Sequence, residues 1–339
     1  MDTTANLVET RLLKLLGEFA PQATGLADVR VLLGGASQET WSFDAVQASG
    51  NMPCILRRAG ASAGDQMSAT VGMAKEVKLL ALAHAASVPV PRVNYTLRPQ
   101  DGLGTGYIMD RILGETLARK ILRDAQFAAV RPLLAAQCGK CLAQIHGIDV
   151  PSLPPLRKAP ARVELAHYRS VYQGLGQARP VFELALRWLH HHLPPDPAQL
   201  SLVHGDFRNG NLIIGPRGIH AVLDWELAHL GDPMEDLGWI CVASWRFGQL
   251  DLPVGGFGLR EDLYAAYEAH GGKKVNQEHA KFWEMLGTLK WGLMCQLLAQ
   301  GFTNGSRRTV ERAAIGRRSS ETEIDLLMLL APPLEQSHA

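Results

Sequence analysis

Four polar residues in two short runs carry the most chemistry in this chain. His204-Gly205-Asp206-Phe207-Arg208-Asn209-Gly210-Asn211 fits H-x-D-x-x-x-x-N. Val222-Leu223-Asp224-Trp225-Glu226 puts a lone carboxylate after an apolar strand, thirteen residues past the Asn. Phosphoryl transfer needs this set: Asp206 to orient an attacking hydroxyl, and Asn211 and Asp224 to hold a magnesium ion that bridges nucleotide phosphates. Asp and Asn are also the commonest turn residues, so context has to decide.

The flanking elements favour the chemical reading. Leu200-Ser201-Leu202-Val203 is an apolar run leading into the loop, and Leu212-Ile213-Ile214 leads out of it. Gly215-Pro216-Arg217-Gly218 is a turn signal. The chain returns through Ile219 to Leu223, with Ile219, Ala221 and Leu223 on one face. The motif is therefore expected on a loop followed by a short hairpin that carries Asp224 back beside Asn211.

Upstream, residues 29–112 read as strand-rich. Strands are expected at 29–33, 40–46, 53–58 and 106–110, with extended chain over 88–93 because each Pro disfavours helix in its predecessor. A helix is expected over about 68–86, and Val8, Leu12, Leu15 and Phe19 predict an amphipathic helix over 5–19. From 113 onward the pattern is helical. One helix ends near His146-Gly147, one runs from about 180 to 192, and a last one opens on a capping box of Ser320 with Glu323. The expected architecture is α+β and bilobal: an N-lobe over 1–112 with a small antiparallel sheet and a hinge at 107–112, and a larger, mainly helical C-lobe over 113–339. A nucleotide is expected at the hinge, with Met109 among its contacts, in a cleft between the lobes.

Charge excludes several classes. The net charge is +1, and neither lobe has an excess of one sign: ten basic and ten acidic residues lie in 1–112, leaving 24 and 23 of the totals of 34 and 33. Nothing points to nucleic acid or to an anionic membrane. The apolar segment 282–298 is interrupted by Glu284, Lys290 and Gln296, which predicts a buried helix and not a membrane span. No secretory pattern opens the chain. The five cysteines sit in apolar company without metal-ligand spacing, which predicts reduced core thiols in a cytoplasmic protein.

A kinase needs three further parts before Asp206, and each has a candidate. Leu33 to Thr40 joins two strands, and its backbone with Gly35 and the Ser37 hydroxyl could close over phosphates; an ordinary hairpin turn is the alternative. The 53–58 strand should carry a phosphate-binding cation. Counting as in V-A-I-K, Arg57 takes the Lys position, although Arg57 and Arg58 face opposite ways and only one can point inward. Glu76 on the following helix is the carboxylate partner; a solvated helix charge is the alternative.

These residues resemble the aminoglycoside phosphotransferase family, small-molecule kinases with a protein-kinase-like fold. The resemblance spans about residues 30–300 and is carried by His204-Gly205-Asp206-Phe207 to Asn211, by Leu223-Asp224-Trp225-Glu226, and by Gly231-Asp232-Pro233 to Asp236-Leu237. Gly34-Gly35-Ala36-Ser37 with Thr40-Trp41 and Leu56-Arg57-Arg58 resembles, more narrowly, the branch that includes the kinase-like portions of certain acyl-CoA dehydrogenases, associated with hydroxyacyl-CoA phosphorylation. The resemblance implies ATP or GTP with magnesium, and a structural Asp236 that braces the catalytic loop. Two departures stand out: the third Gly of G-x-G-x-x-G is missing, and Arg replaces the family's Lys, a planar fork in place of a point charge.

The acceptor should be small. Asp232-Pro233-Met234-Glu235 reads as N-cap, N1, N2 and N3 of a helix that begins eight residues past Asp224, leaving no room for an activation segment and peptide platform. Balanced charge argues against a polycationic acceptor. The expected activity is transfer of the γ-phosphate to a hydroxyl of a sugar, amino alcohol, hydroxyacyl-CoA or aminoglycoside. Two alternatives remain: a catalytically silent nucleotide-binding scaffold, and a metal-dependent hydrolase built on His204, Asp206 and Asp224. Glu226 reads equally as a site residue or a surface one, and Trp239, Trp245, Trp283 and Trp291 read as core at helical spacing. Arg307, Arg308, Arg312, Arg317 and Arg318 read as a solvated face or as a contact for an anionic tail. The oligomeric state is not legible.

Overall fold

A computed structural model describes residues 3–32, 38–60, 70–306 and 308–331. Gly35 and Ser37, with the rest of residues 33–37, lie outside the described residues, as does Arg307. The chain divides into two compact units: residues 1–116, 148–156 and 211–228 form unit 1, and 117–147, 157–210 and 229–339 form unit 2. The linear reading divides the chain at residue 112. The 211–228 stretch, which that division leaves with the helical part, clusters with the sheet.

Unit 1 opens with α1 (Thr3–Phe19), then β1 (Ala23–Leu32), β2 (Gln38–Gln47), β3 (Met52–Ala59), α2 (Met73–Ala85), β4 (Val93–Thr96) and β5 (Gly106–Asp110). The five strands form an antiparallel sheet in the order β1-β2-β3-β5-β4. Successive side chains of a strand point to opposite faces, so the sequence of β2 and β3 sorts itself. Trp41, Phe43 and Ala45 of β2, with Cys54 and Leu56 of β3, pack against Val8, Leu12, Leu15, Leu16 and Phe19 of α1. The other face carries Thr40, Ser42, Ile55 and Arg57. Helix α2 starts later than the periodicity predicts: Gly72, at φ 76°, turns the chain just before Met73.

In unit 2, α3 (Ala118–Arg123), α4 (Leu134–His146), α5 (Ala161–Leu175) and α6 (Pro180–His191) precede β6 (Ser201–Val203). The β7 (Leu212–Gly215) and β8 (Gly218–Val222) hairpin then belongs to unit 1. Unit 2 resumes with β9 (His229–Gly231), α7 (Met234–Trp239), α8 (Arg260–Ala269), α9 (Gln277–Thr303), α10 (Val310–Gly316) and α11 (Ser319–Leu330). The run before the catalytic loop does not join the hairpin; β6 pairs antiparallel with β9, Val203 opposite His229. All five cysteines are buried and unbridged. Helix α9 is buried along much of its length, and no helix among the described residues is long and apolar enough to cross a membrane.

Two helix starts differ from the expected caps. Asp232 does cap α7, its Oδ1 accepting from Met234 N at 2.9 Å. Glu235 does not reciprocate, because its carboxylate takes the buried His229 Nε2 at 3.1 Å. At α11 the Ser320–Glu323 box is absent: Ser320 Oγ donates to the Arg317 carbonyl, and Glu323 pairs with Arg179. In both helices a tertiary partner outcompetes the local one.

The contact between α7 and α9 requires glycine. A Cβ at Gly238 would stand 2.6 Å from Glu284 N, 2.7 Å from Trp283 Cβ and 2.8 Å from Ala280 O. Gly17 in α1 has nothing within 4 Å of the same position. Chemical denaturation should therefore show Gly238→Ala losing roughly 1–3 kcal/mol by overpacking. Gly17→Ala should gain about 0.5–1 kcal/mol from helix propensity.

Candidate active site

In unit 1 the free face of the sheet and the β7–β8 hairpin line a cavity of about 480 Å³. Pairing within the hairpin sets its floor. Leu223 N donates to the Asn211 carbonyl at 2.8 Å, so the residue after β8 returns beside the residue before β7. Asp224 follows in the left-handed conformation, φ 66° and ψ 66°, which is uncommon for a residue with a Cβ and tolerated best by Asn and Asp. Asn211 and Asp224 both line the cavity. The hairpin is tied to the rest of the unit through Val222 N to Pro89 O, Val71 N to Glu226 O, and the paired bonds of Glu115 with Ile214.

Arg57 joins these parts. Its register in β3, opposite Thr40 of β2 and Tyr107 of β5, puts its side chain on the cavity face. Each guanidinium nitrogen has its own partner: Nε donates to Gln38 Oε1 at 2.9 Å, NH1 to Glu76 Oε1 at 2.9 Å, and NH2 stands 3.6 Å from Asp224 Oδ1. Gln38 passes the chain on, its Nε2 donating to Glu226 Oε2 at 3.0 Å. Arg58, one residue on, faces the other way and pairs with Glu39. Glu226 is thus a cavity residue, and Gln38 is a site residue that no sequence pattern singles out.

Burial sharpens the electrostatics. It works against a charged Arg57, yet Glu76, Asp224 and Glu226 hold the guanidinium above its ordinary value. Burial pushes the Glu76 carboxyl up; Arg57 pulls it back and Asp224 adds to the rise. The apolar part of the cavity includes Ile55, Pro91, Met109, Ile112, Ile213 and Leu223. Met109, expected at the hinge, lies on β5 between Ile55 and Val93 and contributes to this wall.

The donor set fits magnesium. Asn211 and Asp224 offer hard oxygens on one wall, and a magnesium site commonly takes one or two carboxylates and completes itself with phosphate and water. A zinc site takes three or four His, Cys or carboxylate ligands. Among the described residues no three such side chains cluster in that way.

Unit 2 holds most of the 204–211 motif, on the loop that follows β6. Asp236, fully buried on α7, is its brace. Its Oδ2 accepts from His204 N at 2.8 Å and its Oδ1 from Gly205 N at 2.9 Å. An ionised carboxylate can only accept, so the Nε2 of buried His146, 3.0 Å away, carries the proton between them; Nδ1 meets the Tyr267 hydroxyl at 2.9 Å. Burial alone would raise the Asp236 carboxyl, but the His146 and His204 interactions hold it below its ordinary value. At the tip, Asp206 Oδ1 accepts from Trp239 Nε1 at 2.9 Å and from Arg208 Nε at 3.0 Å. Asn209 is anchored by its Nδ2 donating to Gly255 O at 2.7 Å. Trp239, Trp245 and Trp291 pack as one aromatic cluster, so the first of these tryptophans is both core and loop partner.

Comparison with known proteins bears on the family and the fold. Residues 28–271, more than half of the chain, match the model of the phosphotransferase enzyme family. The chain belongs to this family. Acyl-CoA dehydrogenase family member 11 of Gallus gallus is 28% identical over 243 residues, covering 68% of this chain and 30% of that protein. The chain thus spans less than a third of that relative. A Ralstonia eutropha protein provisionally named an aminoglycoside phosphotransferase superposes with a TM-score of 0.71 at 21% identity, covering 97% of this chain and 98% of the other. Spectinomycin phosphotransferase, solved with ADP and spectinomycin, gives 0.61 at 15% identity, covering 95% and 98%. A five-stranded antiparallel sheet followed by a mainly helical region is the kinase-like fold that these structures share.

The Asp236 brace has a measurable acid signature. Asp236→Asn keeps the shape but turns an NH2 group toward donors, and should cost about 3 kcal/mol in a denaturant titration at pH 7. The native pKa lies below the ordinary 3.8. The wild-type advantage over the variant should be complete above that value and should shrink as pH falls through the native one.

Proposed function

We propose that this chain transfers the γ-phosphoryl group of a nucleoside triphosphate to a hydroxyl of a small molecule. The observation that carries this reading is the shared wall of the unit 1 cavity. There Arg57, bridged to Glu76 and Asp224, stands on a surface that also presents Asn211. A cation flanked by two hard-oxygen donors is what a magnesium-bound polyphosphate requires, and the apolar wall of Ile55, Met109, Ile213 and Leu223 suits a flat base.

In this reading Asp206 accepts a hydrogen bond from the acceptor hydroxyl and aligns its oxygen for in-line attack on the γ-phosphate. Trp239 and Arg208 keep one carboxylate oxygen occupied and so restrict its rotation. Arg57 lies against the negative charge of the nucleotide, with Glu76 holding the fork in place. Asn211 and Asp224 would hold magnesium, which supplies charge neutralisation at the phosphates when bound. The transition state of phosphoryl transfer is loose, so alignment and charge contribute more than proton removal. Spectinomycin phosphotransferase was solved with ADP and spectinomycin, which supports a nucleotide and a small hydroxylated substrate here. Asp232 opens α7 eight residues after Asp224, which also supports a compact acceptor over a protein one.

A silent nucleotide-binding scaffold is the second reading, motivated by Arg where the family has Lys. The contacts of Arg57 weigh against it. Each nitrogen of the fork is used, as expected of a rebuilt site, and Lys could not span the same three partners.

Coupled ADP release across sugars, amino alcohols, hydroxyacyl-CoA esters and aminoglycosides, with ATP and GTP in parallel, tests the reading. Stimulation by one class supports it; release that no acceptor stimulates, with nucleotide bound, favours the scaffold. With the responsive acceptor, Asp206→Asn should abolish turnover and leave the nucleotide Kd within about twofold, since its role is alignment of the acceptor. By calorimetry Arg57→Lys should weaken nucleotide binding about tenfold or more, the equivalent of one charge-assisted bond.

A further inference from the structure

Lys290 occupies a place that is costly for a cation. It sits in the middle of α9, 8% exposed, and among the described residues it forms no ion pair with a carboxylate. Its one hydrogen bond is long, Nζ to the Gly205 carbonyl at 3.4 Å. Two aromatic faces flank it: Nζ stands 4.4 Å from the Trp239 ring centroid and 5.9 Å from that of Tyr168. A desolvated ammonium without a paired anion is destabilising, and an apolar side chain of similar volume would pack there at lower cost. Burial works against the charge, yet Tyr168, Glu235, Glu164 and Asp206 together keep the ammonium protonated.

The indole under this cation is the one that holds the catalytic-loop carboxylate. Trp239 Nε1 donates to Asp206 Oδ1 at 2.9 Å. We propose that Lys290 is a positioning residue for Asp206 and acts through Trp239. A cation over the face of an indole draws density from the ring and makes its N–H a stronger donor. The strengthened bond, with Arg208 Nε on the same oxygen, pins Oδ1 and leaves the carboxylate one orientation. Lys290 touches no reacting atom in this scheme. The inference rests on the reading of Asp206 as the residue that orients the acceptor hydroxyl.

The test has one arm that needs no acceptor. In the full chain labelled with 15N-tryptophan, the Trp239 indole resonance is assigned by its loss in Trp239→Phe. Lys290→Gln removes the charge while keeping a donor for Gly205. It should move the Trp239 indole proton upfield by more than any of the other six of the seven tryptophans, and Lys290→Arg should largely restore it. An unmoved resonance would overturn the relay whether or not the chain proves to be a kinase, so its failure is distinct from failure of the kinase reading. Should Lys290→Gln not fold, Lys290→Met, which fills the site with an apolar chain, serves in its place.

The second arm is kinetic, with the acceptor that stimulates ADP release. Lys290→Gln should lower kcat roughly 10–100-fold, the scale of a misaligned catalytic group, and leave the nucleotide KM within about twofold. Lys290→Arg should recover most of the loss. In a Trp239→Phe background, Lys290→Gln should cost less than about twofold more, because the route it acts through is already cut. Losses that multiply in the double variant, or a fall in melting temperature that Lys290→Arg shares in full, would assign Lys290 to packing alone.

Discussion

The three-way grip of Arg57 organises unit 1. One guanidinium binds the start of β2 through Gln38, helix α2 through Glu76, and the end of the hairpin through Asp224. Arg57 lies 19 residues from both Gln38 and Glu76, and Asp224 is far away in sequence. A planar fork with separately directed donors can hold three partners in fixed directions, which a single ammonium cannot. Half-burial makes each of these contacts stronger than it would be at the surface, and it raises the cost of losing any one of them. Arg in the family's Lys position is therefore a coherent local solution, with Gln38 as its accessory.

Unit 2 relies on a comparable device of opposite charge. Asp236 gathers two backbone amides of the catalytic loop and the ring of His146. Loop amides next to a functional residue have no sheet or helix to satisfy them, and a buried carboxylate with two oxygens is well suited to that task. The brace is itself positioned by packing: α7 and α9 approach closely where Gly238 and Gly287 lack side chains. The geometry of the 204–206 loop thus descends from a glycine contact, through a helix, to a carboxylate and finally to the loop.

The candidate site residues could be singled out in the sequence because the roles expected of them demand particular side chains at short separations. The spacing from Asp206 to Asn211 and Asp224 reflects one loop and one hairpin, and the alternation of β3 told Arg57 from Arg58 as to face, though not which of them points inward. The strand and helix cores were legible for the same reason, since periods of two and 3.6 mark one apolar face. The local caps were less secure. Glu235 and Glu323 suit a capping box in the linear text, but His229, on the strand just before α7, and Arg179, 144 residues away, take their carboxylates instead.

By itself, then, the sequence determined the class of fold, the identity of the loop and hairpin residues, and the pairing of a strand cation with a helix carboxylate. Those features are encoded in short-range pattern. Only the tertiary structure decided that β6 pairs with β9 instead of the hairpin, that Gln38 and Glu226 extend the Arg57 network, and that Lys290 lies over Trp239. These depend on which side chains from remote segments meet in a low-dielectric interior, where a bond that is worth little in water decides where a buried charge can be placed.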